Sequence, residues 1–299
     1  MEILMTSHRR SVTSADVDLI RRLLNGHPDW NRTRLSQELC FIRDWRTNSG
    51  NYKDMACRTL LLKLHRCGHI QLPPSQRPAN NDYRLWKFAD LSYDCDPITS
   101  SLATLIPLVI FPVHEHREHQ QLIKCLLHRH HYLGYRGTPG ESMGYLVYDR
   151  HHRIIGCLTF GAAAWKIAPR DKFIGWLPTT REQNLCYLTN NLRFLILPWV
   201  QIRNLASHIL SRVVKRLNND WIAHYQHPLY LVETFVDTSQ FDGASYKAAN
   251  WIRTGQTKGR TRQDRHRTLK VPIKDIYLYP LHKFFKEKLN PQVSRLKKT

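Results

Sequence analysis

Two carboxylates late in the chain are the residues best placed to do chemistry. Glu233 interrupts an apolar run, Tyr230-Leu-Val-Glu-Thr-Phe-Val. Strand alternation puts it on the same face as Leu231 and Phe235, where a carboxylate has either a raised pKa or a dedicated partner. With an arginine such as Arg193 it would be a structural ion pair; without one it is a candidate catalytic group. Asp237 shares that face, but four residues of strand separate the two by about 13 Å. The pair cannot share one metal ion without a bulge. A Mg2+-dependent cleavage site would therefore need a third carboxylate, such as Asp171 or Glu182.

Other metal chemistry finds little support. His116/His119 and His128/His131 have the spacing that puts ligands on one helix face, yet no carboxylate or cysteine closes a site within that stretch, so none is assigned. The seven cysteines are scattered and form no C-x-x-C, which argues against both a zinc ribbon and a disulfide framework.

Positive charge is the stronger signal. Lys and Arg number 45 against 24 Asp and Glu, a net charge of +21, which favours a polyanionic partner, nucleic acid first. Lys258, Arg260, Arg262, Arg265 and Arg267 fall in one short loop punctuated by Gly255 and Gly259. Such a loop would neutralise about five phosphates and make binding steeply salt-dependent.

These groups need elements to hold them. From Thr13 to about residue 90, caps and apolar spacing predict three helices, followed by strands at Ile70–Pro74 and Tyr83–Phe88. That is a winged helix-turn-helix, whose third helix would offer Lys53 and Arg58 to DNA, with Asn51 and Lys63 beside them. Residues 91–113 read as a linker. Its apolar stretch is broken by Pro107 and Pro112 and is too short to span a membrane. No signal peptide is visible, so the expected setting is the cytoplasm, with no membrane partner. Residues 114–299 then give a His-rich helix and a hairpin. After them come the strand-like run LCYLTNNLRFLILP, a long amphipathic helix from Gln201, the strand holding Glu233, a short helix and a last strand near Ile276.

That order resembles the Gcn5-related acetyltransferase fold. The resemblance implies that Gln201-Ile-Arg-Asn204-Leu-Ala206 corresponds to the family's coenzyme A loop, with Asn204 where the central glycine stands. It likewise implies that Tyr246-Lys-Ala-Ala-Asn250-Trp251 corresponds to Tyr-x-x-x-Gly-Phe, whose tyrosine acts as general acid. Gln201, Asn204 and Ala206 are then cofactor-binding candidates for acetyl-CoA, and Tyr246 is a catalytic candidate. A resemblance covering more of the chain rests on HHYLGYRG, FGAAAWK, RDKFIGW, NNLRFLILPWV, NLASHIL, LVETFVD and YKAANWIRTGQTKGRTRQDRH. These segments are similar to the DruA family of the Druantia anti-phage systems, which also accompanies transposases. It implies a role in defence or in mobile elements.

The expectation is an α+β protein: an N-terminal winged helix-turn-helix and an acetyltransferase-like mixed sheet flanked by helices. It binds DNA alongside other proteins of its system. Two alternatives make it an enzyme. One transfers an acyl group to DNA, with Tyr246 as acid and Glu233 as base or orienting group. The other is a metal-dependent strand-transfer or cleavage enzyme using Glu233, Asp237 and a further acid.

Overall fold

The computed structural model describes residues 3–7, 10–46, 50–75, 91–259 and 271–290. The chain forms two units, Met1–Arg84 and Leu85–Thr299.

In the first unit a hairpin, β1 (Ile3–Ser7) and β2 (Arg10–Thr13), precedes α1 (Ser14–Gly26), α2 (Arg32–Ile42) and α3 (Asp54–Arg66). Thr13 and Asp16 close a capping box on α1, and Asn31 caps α2 through the Thr33 and Arg34 amides. Val17, Ile20, Leu35, Leu39, Leu60, Leu61 and Leu64 form the core. The strand expected at Ile70–Pro74 does not form. Ile70 and Leu72 are buried, and the backbone of residues 69–73 bonds side chains. Arg21 donates to the His69 carbonyl at 3.0 Å, Arg32 to that of Pro73 at 2.7 Å, and the Leu72 amide donates to His65 Nδ1 at 3.4 Å. The second expected strand, Tyr83–Phe88, lies outside the described residues.

The second unit is a seven-stranded mixed sheet with helices against it. Its strands are β3 (Val109–Pro112), β4 (Met143–Tyr148), β5 (Ile154–Ala162), β6 (Leu188–Ile196), β7 (Leu231–Asp237), β8 (Ile252–Gln256) and β9 (Lys274–Pro280). The order across the sheet is β3-β4-β5-β6-β7-β9-β8, and only β6 and β7 run parallel. The helices are α4 (Leu102–Leu105), α5 (Arg117–His130), α6 (Ala168–Ile174), α7 (Pro178–Asn184), α8 (Leu205–Tyr225), α9 (Ala244–Ala248) and α10 (Phe285–Leu289).

α8 is the crossover between the parallel strands. Leu205, Ile209, Leu210, Val213, Val214, Leu217 and Trp221 make its buried stripe, as the 3.6-residue period requires. Each buried aliphatic contributes roughly 1.5–3 kcal/mol relative to exposure. β7 is covered on both faces: Val232 and Val236 join the core that includes α8, while Leu231 and Phe235 pack in the cluster built with Ile174, Phe285 and Leu289. Two departures from expectation concern edges. The segment read as a linker supplies β3, and it buries Ile98 and Leu105 in the main core. The stretch from Ile252, read as helix end and loop, forms β8 against β9.

Candidate functional site

β6 and β7 pair over only three positions, Leu188↔Leu231, Thr189↔Val232 and Asn190↔Glu233. Beyond them β6 stays with β5 to Ile196, and β7 stays with β9 to Asp237, so the two strands part. A bulge helps to turn β6 away. Thr159 pairs with Arg193 and Phe160 with Asn191, which leaves Leu192 as the extra residue. Gly161 makes room for it, since a Cβ there would lie 2.6 Å from the Leu192 side chain. The opening is a cavity of about 600 Å3, lined by β6 and β7 and by His131, Tyr132, Ala206, Phe241, Tyr246 and Lys274.

One amide ties this site together. Asn191 Nδ2 donates to the carbonyls of Thr159 (3.2 Å) and Arg193 (3.1 Å), clamping the bulge, while its Oδ1 accepts from the Tyr246 hydroxyl at 2.8 Å. The Thr234 hydroxyl donates to the Asn191 carbonyl at 3.1 Å. Burial pushes the Tyr246 phenol up to about 12, with Thr234 pulling the other way, so it stays protonated at neutral pH. His131 behaves differently. Burial and then Arg193 hold it down to about 4, and its Nδ1 accepts from the Leu133 amide at 3.1 Å, so the neutral ring carries its proton on Nε2.

Asp237 lies in the cavity lining and Glu233 does not. The Ser239 hydroxyl (2.7 Å) holds Asp237 below the usual carboxylate range against burial, with help from the Ser239 amide (3.0 Å) and Lys274. Glu233 is wholly buried. Its oxygens take the Ala164 amide at 2.6 Å and Arg170 at 2.8 Å. Burial pushes its pKa up, and the Arg170 charge opposes that. The arginine partner foreseen for it is thus Arg170, with Arg193 bonded instead to the carbonyls of Gly134 and Leu192. Arg170 also bonds Asp171 at 2.7 Å, so its guanidinium stands between two carboxylates where a shared cation would have to sit. Trp176 and Arg181 take up the rest of Asp171. β7 has no bulge, so Glu233 and Asp237 remain four residues apart on one face. Among the described residues no group of three His, Cys, Asp or Glu is placed to hold a metal ion.

The cofactor candidates separate. Asn204 caps α8 with a left-handed φ of 64°, and Asn250, the other asparagine in a glycine position, has φ 62°. Both accept the geometry that the replaced glycine would have allowed. Ala206 reaches the cavity. Gln201, whose amide donates to the Ile98 carbonyl, and Asn204 are outside its lining.

The DNA candidates lie elsewhere. Lys53 is the half-buried N-cap of α3, and Arg58 is bonded to Asp54 one turn earlier. Lys258 is exposed just after β8, while Arg260, Arg262, Arg265 and Arg267 fall outside the described residues. The histidines of the α5 region make ring contacts: His116 and His119 flank Phe111, and His114 lies against His224.

A model of the family described as Druantia protein DruA matches residues 64–276. The chain belongs to the DruA family. Membership links it to the Druantia anti-phage systems and covers the whole parallel step and its cavity. No curated protein matches the chain. Among solved structures it is similar to the spermidine/spermine N-acetyltransferase SpeG from Vibrio cholerae in complex with manganese ions. That likeness has 10% identity and a TM-score of 0.38, over 62% of this chain and 96% of that one. It is also similar to the Vibrio cholerae spermidine N-acetyltransferase in complex with CoA and spermine, at 9% identity and a TM-score of 0.38, over 58% and 95% of the two chains. Among the described residues of this DruA-family chain, no helix is long and apolar enough to cross a membrane.

Asn191, Thr234 and Lys274 were not anticipated as site residues, and His131 was weighed only in a His128/His131 pair to which no metal was assigned. The adjacent pair Asn190-Asn191 inside an apolar strand was the available signal, because two neighbouring polar residues cannot both follow a two-residue alternation.

Proposed function

We propose that this chain is the DNA-binding component of a Druantia-type defence or mobile-element system, acting with other proteins of that system. The observation that carries the reading is cationic charge left unspent. Arg203, Arg212 and Lys215 are exposed at or along the outer side of α8 with no carboxylate partner among the described residues, and Lys247 and Lys258 are exposed near β8. Phosphate contacts of this kind position a protein on DNA without reading its sequence. The three helices of the first unit support a helix-turn-helix contribution, with α3 offering Lys53 and, after release from Asp54, Arg58. The reading is tested by fluorescence anisotropy of the full chain with a labelled duplex at low salt. Binding is expected, and the triple variant Arg203→Glu, Arg212→Glu, Lys215→Glu should weaken it at least tenfold and flatten its salt dependence by about one unit for each phosphate no longer neutralised. Unchanged binding by the triple variant would remove α8 from the interface, and no binding at all would reject the reading.

A second reading has its own support in the cleft. The start of α8 reaches the cavity at Ala206, and helix N-termini favour anions such as the pyrophosphate of coenzyme A. Tyr246, protonated and bonded to Asn191 at the cavity wall, is the group this reading assigns as general acid. On this reading the chain transfers an acyl group from coenzyme A to DNA, and Glu233 orients the Ala164–Arg170 segment. Coenzyme A should then raise the melting temperature of the full chain, and Asn204→Trp should abolish the rise. An absent rise in the unaltered chain counts against acyl transfer.

A further inference from the structure

The outward face of α3 is apolar at the end where a DNA-reading helix meets base edges. Cys57, Leu60, Leu61 and Leu64 are buried and fix the inner side of the helix. At 3.6 residues per turn, Met55, Thr59 and Leu62 stand on the opposite side. Met55 is 65% exposed in the first turn, Thr59 is exposed one turn later, and Leu62 is half-buried against the core of the unit. Donors are scarce on this stretch. The Thr59 hydroxyl donates to the Met55 carbonyl at 3.0 Å, which spends its hydrogen inside the helix. The Arg58 guanidinium, the group that would read guanine, is bonded to Asp54. Around the face the charge is positive, because Lys53, Arg58, Lys63 and Arg66 stand against Asp54 alone between residues 53 and 66.

These features choose a ligand. The cations suit a phosphate backbone, and the second helix of a helix-turn-helix sets its N-terminal residues against base edges. A donor-poor surface that carries methyl groups matches the one apolar group on those edges in the major groove, the C5 methyl of thymine. We infer that α3 reads thymine in duplex DNA, with Met55 and Thr59 packed on the C5 methyl group and the flanking cations on phosphates. This rests on the DNA-binding reading above and gives it a base preference. Phe41 and Ile42, at the end of α2, are exposed as well. The rival occupant is therefore a second copy of the chain, docked through the same apolar side chains.

An A·T-rich duplex and the same duplex with every thymine replaced by uracil differ only in those methyl groups. The full chain should bind the thymine form about tenfold more tightly, a difference of about 1.4 kcal/mol. Met55→Gln keeps a good helix former at an exposed site and should bring the two affinities together, while binding stays salt-dependent. Met55→Leu should keep the preference. Thr59→Ser retains the hydroxyl, loses the methyl, and should narrow the difference. Equal affinity of the unaltered chain for both duplexes overturns the inference and leaves the DNA reading standing. A preference that Met55→Gln leaves intact overturns it too, because the methyl group is then read elsewhere. Self-association that Met55→Gln abolishes, with no thymine preference, assigns the face to a second copy and overturns it. No binding to either duplex at low salt rejects the DNA reading and this inference with it.

Discussion

Glu233 and Arg170 are both wholly buried and bonded to each other, and that fixes what each contributes. Removing one partner of such a pair leaves a charge in the core, so Arg170→Met should cost about 3–5 kcal/mol in denaturant unfolding. The double change Arg170→Met, Glu233→Leu should recover much of that loss, whereas a Glu233 acting only as a catalytic base would leave stability nearly untouched in either variant. The asparagines at left-handed φ make a second prediction. Asn250→Ala should lower stability by about 1 kcal/mol and Asn250→Gly should not lower it, measured by the same unfolding curves. Asp275 sets an acid limit. Arg253, then Gln256, hold its pKa below the usual range against burial. Its unfolded form titrates near pH ~3.9. The stabilisation is therefore complete above that pH and is lost as pH falls through the lower folded value. Melting temperatures between pH 5 and pH 2 should show a smaller acid loss in Asp275→Asn.

At the scale of elements, the parting of β6 and β7 creates the site, and Asn191 maintains it. Asn191→Leu leaves the Thr159 and Arg193 carbonyls and the Tyr246 hydroxyl without their partner. It should cost about 1–3 kcal/mol, and it should loosen the bulge, seen as faster amide exchange at residues 191–193. The elements that made the parallel step were legible in the sequence. α8 shows its four turns of apolar spacing, and β6 and β7 show apolar runs of strand length. The edges were not. β3 ends at Pro112 and follows Pro107, a spacing that resembles a linker, and β8 (Ile-Arg-Thr-Gly-Gln) has too little apolar character to announce a strand. Its place is set by pairing with β9, a long-range contact that local propensity does not encode. The same limit applied to Ile70–Pro74, whose strand-like alternation reflects burial of Ile70 and Leu72 against helices. Within the site, Asp237 and Tyr246 could be picked out by residue type and motif. The partners that give them their properties, Ser239 and Asn191, became visible only with the fold.

At the scale of the whole molecule, charge is the dominant fact. A net +21 over 299 residues, in a DruA-family chain, is the charge on which the proposed DNA-binding reading rests. The buried ion pairs leave it unchanged, since Arg170 and Arg181 are matched there by Asp171 and Glu233. The measurement that bears most directly on this account is the affinity of the full chain for a plain duplex as salt is raised from about 50 to 200 mM. Neutralising about five phosphates predicts a slope near −4.5 in log affinity against log salt, a loss of several hundredfold over that range. A slope near zero, or no binding at the lowest salt, would contradict it.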